Sequence, residues 1–475
     1  MVTAELIRRG ARRYRERPAI LYGDETLSFA EADALSNRIA NVLVGLGVER
    51  VGLLLGNGLH SIPVDFACAK AGIARVPLNP RLAQPEQQAI LAAADAHVLV
   101  ADVDTRLGAD ALPLAELLER AAAAPVDEPS VDVEPETTLL LLATSGTTGK
   151  LKLVRHTQAS YAAIVANILA NLVDPQPGDV MLHAASLIHA SGTFVLPYWL
   201  RGGAAAVLPG FDPAGYLDAA ERHGATAVNL VPTMLGALLQ QRPRELPRLR
   251  TLVYGASPAP PALLRRALDR FGPILVQYYG QTEAPLCISV LRPEEHEGDR
   301  LLSCGRPSVD CEVKLDPENG EILVRAPFAA AGYHGDEELH RETFLPDGWL
   351  RTRDVGRFDD EGFLYLVDRT SDMIVTGGYN VYPREVEDAL AEHPAVHEAI
   401  VVGAPDERWV EAVTAFVVAD GVTEEELIAH CRERLAAYKA PKSVRFVAEV
   451  PKSPVGKLLR RAVRDPLWES HDRPI

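Results

Sequence analysis

A chain that repeats short, wholly apolar runs, each closed by a polar or Gly-rich turn, has few folds open to it. "VGLLLG" (51–56) and "HVLVAD" (97–102) are such runs, and "TTLLLLA", "ATAVNLVPTML", "LRTLVYGAS" and "ILVQYYGQTEA" repeat the theme. Strands this apolar are buried on both faces, and helices between them predict a largely parallel, doubly wound sheet. "SFAEADALSNRIANVLVGLG" predicts one such helix, opened by Ser28 and Glu31 at capping-box spacing and ended by Gly47. "AILYGDETLSF" predicts a hairpin ahead of it. Ligands of α/β sheets bind beyond the carboxyl ends of the strands, so chemistry is expected at the closing turns.

At 475 residues the chain exceeds one compact core. From about residue 300 to 367 it changes to hairpins, clearest in "CEVKLDPENGEILVRA" with its Asn319-Gly320 turn. From about 368 a separate small pattern begins, with strands near "DMIVTGG", "HEAIVVG" and "VTAFVVAD" and helices "PREVEDALAEH" and "TEEELIAHCRERLAAY". The boundary is expected near Asp368–Ser371.

Charge and cysteines exclude several classes. A formal net charge of −17 argues against a nucleic-acid or anionic-membrane partner, though not against a local basic pocket. Cys68, Cys287, Cys304, Cys311 and Cys431 are odd in number and scattered, which fits free thiols in a reducing cytoplasm. The start, "MVTAELIRRGARRYRERPA", is too charged for a secretory segment, and no apolar run is long enough to span a membrane.

The least ordinary stretch is "LLATSGTTGKLKLVRHT" (141–157). Consecutive small residues let backbone N–H groups converge on an anion, and Ser and Thr hydroxyls with Lys150 and Lys152 add donors and charge. This predicts a loop that wraps a triphosphate rather than a bare surface turn. It is not a Walker A loop, because only two residues separate Gly146 from Gly149 and Leu151 stands where a metal-binding hydroxyl is needed.

Five motifs in order resemble those of the acyl-adenylate-forming (AMP-binding) enzymes, closest to the acyl- and aryl-CoA synthetases. They are "TSGTTGKLK", "YYGQTEA" (278–284), "GWLRTRD" (348–354), "DRTSDMIVTGGYNVYPREVE" (368–387) and "PKSPVGKLLRR" (451–461). The resemblance implies an α/β fold: a large N-terminal domain (1–367) of doubly wound sheets plus a β-barrel-like subdomain, and a small mobile α+β C-terminal domain (368–475). It implies that Thr144, Ser145, Gly146, Thr147, Thr148, Gly149 and Lys152 grip the β- and γ-phosphates of ATP. Thr282 would touch the α-phosphate, Glu283 would ligate Mg²⁺, and Tyr279, beside Gly280, would stack on adenine. Asp354 would bind the ribose hydroxyls with help from Arg369. Lys457 would meet the negative charge that builds during adenylation, and Gly377 and Gly378 would line a narrow tunnel for coenzyme A.

By the same resemblance the acid's pocket is lined by 186–194, 229–235 and 253–258, with Gly255, Ala256 and Ser257, and closed by Tyr278 and 284–287. His189 either gates it or is a satisfied core histidine. A mostly apolar lining suits an uncharged aryl or short- to medium-chain acid, and Tyr278, where many relatives have Gly, would shorten the pocket. The chain is therefore expected to be an ATP-dependent carboxylic acid–CoA ligase, monomeric or homodimeric. The alternative is an adenylating enzyme with another acceptor: a carrier-protein thiol, or nitrite in the diazotisation of an arylamine. Four positions depart from the family pattern. Leu151 and Leu153 replace Pro and Gly in the phosphate loop, Arg353 replaces Gly before the ribose aspartate, and Ser371 takes the usual hinge position of Asp or Lys.

Overall fold

The computed structural model describes residues 1–475 except 104, 106, 108, 146–150, 257, 258, 260, 319, 370–373, 382, 452–459 and 470–475, and the side chains of 145, 262, 367–369, 380, 384, 388 and 461. The apolar runs become two parallel sheets, as the sequence predicts. In the larger, six parallel strands run in the order Leu275–Gln281, Thr251–Gly255, Ala227–Leu230, Val180–His183, Ala204–Val207 and Pro18–Tyr22. Antiparallel strands finish both edges: Glu25–Ser28, the expected hairpin partner, on one side, and Ala284–Leu291 with Arg306–Pro307 on the other.

The second sheet has six strands, ordered Asp110–Pro113, Val98–Ala101, Arg50–Leu54, Ala74–Pro77, Thr138–Ser145 and Leu151–Thr157. Only the last is antiparallel to its neighbour. Asn57 ties the two sheets at their carboxyl ends: its amide donates to the carbonyls of Ala185 (3.0 Å) and Leu208 (3.1 Å) and accepts from the Leu187 N–H (2.9 Å). Next comes an antiparallel sheet of four strands, Glu312–Leu315, Glu321–Arg325, Leu350–Phe358 and Leu364–Arg369. A small sheet of 374–376, 379–381, 396–406, 410–419 and 443–446 then carries helices Pro383–Ala391 and Glu424–Arg434.

The predicted helix is Phe29–Gly45, and its capping box is formed, with the Ser28 hydroxyl accepting from Glu31 N (3.2 Å) and the Glu31 carboxylate from Ser28 N (2.8 Å). Such a cap contributes about 1 kcal/mol. Phe29, Ala32, Ile39, Ala40 and Leu43 are its buried face. Lys70 is wholly buried nearby; burial lowers its proton affinity, and the charge is tolerated because Asp33 (2.5 Å), Ser36 (2.8 Å) and Asn37 (2.7 Å) all accept from it. All five cysteines are free and buried. Among the described residues no helix is long and apolar enough to cross a membrane.

Two histidines sit in the core, His156 at 1% exposure and His183 at 0%. Burial pushes the pKa of each down to about 4 from the ordinary 6.5, so both are neutral in the fold. Below pH 6.5 the unfolded chain takes up protons that the folded chain refuses until about pH 4. Stability should hold above pH 6.5 and fall steadily as pH drops through that window, by on the order of 3 kcal/mol per histidine. His183→Gln should flatten the slope of chemical-denaturation stability between pH 6.5 and about 4, and an unchanged slope would contradict the assignment.

Candidate active site

The carboxyl ends of the strands ending at Leu230, Gly255 and Gln281 open on a cavity of about 1590 Å³. Thr144 and Lys152 border it from the second sheet, Arg353 and Asp354 from the four-stranded sheet, and Gly377, Gly378 and Lys439 from the C-terminal domain. Four parts of the chain far apart in sequence thus share one space.

Its polar side is organised by hydrogen bonds. Glu283 Oε1 accepts from the Tyr333 hydroxyl at 2.6 Å, which aims the carboxylate. The Thr282 carbonyl accepts from His156 Nε2 at 2.9 Å, so a neutral core histidine fixes the turn that carries Thr282 and Glu283. The buried Tyr279 donates to Asp354 Oδ2 at 2.6 Å. Lys152 is 8% exposed with its ammonium 5.8 Å above the Tyr333 ring. Burial lowers its proton affinity, Arg353 adds to that, and Glu283 opposes it.

Asp354 reaches the cavity because its strand bulges. Pairing runs from Leu323 opposite Arg351 to Glu321 opposite Val355, so three residues, Thr352 to Asp354, face a single intervening residue. The bulge puts Arg353 at φ 61, a left-handed conformation that costs a non-glycine residue about 1 kcal/mol. The buried Glu321 holds the turn, accepting from Arg353 N (2.9 Å) and Arg351 Nε (3.1 Å).

At the other end, buried Tyr278 lines the cavity together with Asn229, and burial keeps its phenol protonated. Gly255 makes room for it, since a Cβ there would lie 2.5 Å from the Tyr278 carbonyl and 2.9 Å from its ring. Ala256 and Gly280 also border the space. His189 faces the cavity with its ring exposed to that space, and desolvation by the surrounding walls, with Arg81 near, lowers its pKa. Asp65 and Arg75 line this part too, but as an ion pair at 2.7 Å.

The C-terminal domain is held over the cavity by Lys439, which reaches Glu86 of the large domain (3.0 Å) and Glu385 of its own (2.8 Å). Burial opposes the charge, but the two carboxylates overcome it and raise the pKa. Arg81 donates to the Tyr379 hydroxyl beside it. Gly377 and Gly378 have φ of 57 and 80, and a Cβ on Gly378 would lie 3.0 Å from Val231 Cγ2 and 3.4 Å from Thr233 Oγ1.

The sequence-predicted residues Thr144, Lys152, His189, Gly255, Ala256, Tyr278, Tyr279, Gly280, Thr282, Glu283, Asp354, Gly377 and Gly378 are therefore gathered at or directly behind this cavity. Gly146, Thr147, Thr148, Gly149, Ser257, Ser371 and Lys457 lie outside the described residues, as do the side chains of Ser145 and Arg369. Sequence reading misses Tyr333, His156, Lys439 and Glu86. The local signal for Tyr333 is its place after Gly332 in the "AGYHG" turn and that for His156 its place near the end of the phosphate-loop stretch, whereas Lys439 and Glu86 carry none.

Comparison with known proteins agrees with this arrangement. Residues 7–334 match the AMP-binding enzyme family and 385–457 the AMP-binding enzyme C-terminal domain. The chain is 37% identical to a medium/long-chain-fatty-acid–CoA ligase of Mycobacterium tuberculosis, over 98% of this chain and 90% of that protein. It is 38% identical to a feruloyl-CoA synthase of Amycolatopsis, over 94% and 95%. Among solved structures, a double mutant of the o-succinylbenzoate CoA synthetase of Bacillus subtilis, bound with its product analogue OSB-NCoA, superposes with a TM-score of 0.91 at 32% identity, covering 97% of this chain and 98% of that one. The same synthetase with the acyl-adenylate intermediate OSB-AMP gives 0.73 at the same identity and coverage. An amide bond synthetase of Marinactinospora thermotolerans gives 0.88 at 32% identity, covering 98% and 99%. With both domains matched and named CoA ligases similar over more than nine-tenths of its length, the chain belongs to the AMP-binding enzyme family, as an enzyme of the acyl-CoA synthetase kind.

Proposed function

We propose that this protein joins an uncharged, apolar carboxylic acid, aryl or of short to medium chain, to coenzyme A in two steps. In the first, a carboxylate oxygen attacks the α-phosphorus of ATP, the bond to the β-phosphate breaks, and acyl-AMP and pyrophosphate form. In the second, the CoA sulfur, having lost its proton, attacks the acyl carbon, and AMP leaves. The observation that carries this reading is that Thr282, Glu283 and Asp354 share one cavity with Gly377 and Gly378 of the C-terminal domain.

Each side chain has a task suited to its surroundings. Asp354, held by Tyr279, is a fixed acceptor for two ribose hydroxyls, and Tyr279 is the adenine's neighbour. Thr282, on a turn pinned by His156, meets the α-phosphate. Among the described residues no three His, Cys, Asp or Glu are arranged to hold a metal, yet Glu283 alone fits magnesium, which takes one or two carboxylates and fills its shell from phosphate and water. When bound, that ion would screen the phosphate charge. Lys457 would stabilise the transition state of the first step, an effect typically worth a few kcal/mol.

For the acid, Tyr278 is buried and keeps its proton, Asp65 is paired with Arg75, and the pKa of His189 is lowered, which keeps it neutral. No unpaired carboxylate is left at that end among the described residues to meet an α-amine, which supports an acid without one. For the acceptor, the higher score against the OSB-NCoA complex than against the OSB-AMP complex of one synthetase supports a domain arrangement suited to the thioester step. The amide bond synthetase favours a second reading, an amine as acceptor on the same acyl-AMP.

The decisive assay supplies a panel of aryl and short aliphatic acids with ATP and magnesium, and follows pyrophosphate release and then product mass with CoA or with amines. CoA-dependent thioester is expected; amide formation with CoA ignored would favour the second reading. Gly378→Leu introduces a side chain where even a Cβ meets Val231 at 3.0 Å, at a φ of 80. It should spare acyl-AMP formation and slow thioester formation from supplied acyl-AMP by about a hundredfold, an effect of about 3 kcal/mol. Equal loss in both half-reactions would contradict the role given to this loop.

A further inference from the structure

Arg353 stands where the family pattern has glycine, and its backbone is in the conformation that glycine adopts freely, at φ 61. A strained non-glycine residue persists only where the surrounding structure holds it, and such residues cluster at functional sites. Here Glu321 does the holding, through Arg353 N at 2.9 Å. What arginine has and glycine lacks is the side chain, and that side chain lines the cavity. Its Nη2 lies 3.6 Å from Glu342 Oε2, an exposed and therefore weak partner. Lys152 lines the same cavity, and the positive charge of Arg353 lowers that lysine's proton affinity.

The groups around it point to a ligand for this end. On the ligase reading Asp354 and Tyr279 meet the nucleoside and Thr282 the first phosphate, and next to these in the chain Glu283 and Arg353 join one cluster with Tyr333, which donates to Glu283 at 2.6 Å and lies 5.8 Å from the Lys152 ammonium. We infer that Arg353 binds the β- and γ-phosphates of ATP and, with Lys152, holds the pyrophosphate that leaves in the first half-reaction. The nucleotide's identity rests on the ligase reading above. A planar guanidinium offers two parallel donors to phosphate oxygens, and a triphosphate carries far more negative charge than an exposed carboxylate such as that of Glu342. The bulge strain is thereby linked to a function: it points a cation at the leaving group, at a position where the usual glycine offers none.

Arg353→Gly tests this well, because glycine suits the conformation and the variant should fold. Equilibrium binding of Mg-ATP and of AMP is measured by calorimetry for the wild type, Arg353→Gly and Arg353→Lys. Mg-ATP should bind about tenfold more weakly to Arg353→Gly, while AMP, which lacks the outer phosphates, should stay within about twofold. Arg353→Lys, a point charge without the fork, should fall between. Arg353→Gly should also melt at or above the wild-type temperature. An unchanged Mg-ATP affinity, or equal weakening of Mg-ATP and AMP, overturns the inference, and a lower melting temperature overturns the strain argument behind it. A wild type that makes no thioester, yet loses Mg-ATP affinity selectively in Arg353→Gly, would reject the ligase reading and support the phosphate role.

Discussion

One buried ammonium completes the site. Lys439 carries a carboxylate from each domain, and in the arrangement it holds Gly378 lies against Val231 and Thr233. Burying a charge is costly, and leaving one buried without partners costs about 3–5 kcal/mol, so the pairing is no incidental surface bridge. Its asymmetry matters as well. Glu385 belongs to the same domain as Lys439, whereas Glu86 lies across the interface and is the more exposed of the two. If the domains part, Lys439 keeps one partner and Glu86 meets water. The contact is strong enough to define an arrangement and cheap enough to be broken.

The remainder of the site follows the same economy of fixed partners. The acceptor Asp354 and the carboxylate Glu283 are each aimed by a tyrosine hydroxyl, and the turn carrying Thr282 is tied to a histidine that burial keeps neutral. Polar groups positioned in advance need little reorganisation when charge develops on a phosphate. The bulge at Thr352–Asp354 is the expense of that positioning, with the Arg353 backbone strained so that two neighbouring side chains both face the cavity.

Much of the fold was legible in the sequence because its signals are local. Wholly apolar runs specify parallel strands buried on both faces, and the Ser28 and Glu31 cap is written within four residues; both appear in the structure as read. That described residues of the first four motifs border one cavity accords with the rule that carboxyl ends hold ligands. What stayed hidden is what the chain brings together from afar. Glu86 and Lys439 are 353 positions apart, Tyr333 and Glu283 are 50 apart, and Asn57 meets residues 128 to 151 positions on. No periodicity encodes such pairs. A glutamate on a helix and a lysine after another read as solvated charges until the domains are set side by side. Arg353 was visible as a departure, but its strain and its proximity to Lys152 exist only in three dimensions.

The central claim is that this closed arrangement serves thioester formation and that adenylation requires another. Glu86→Cys with Lys439→Cys would set two thiols at the interdomain contact, and the five native cysteines are buried, so a short bis-maleimide should join that pair selectively. Single-turnover rates of the two half-reactions are then compared before and after locking. The account predicts that the locked enzyme still converts supplied acyl-AMP and CoA to thioester and no longer makes acyl-AMP from acid and ATP. Retained adenylation in the locked enzyme, or equal loss of both half-reactions, would contradict it.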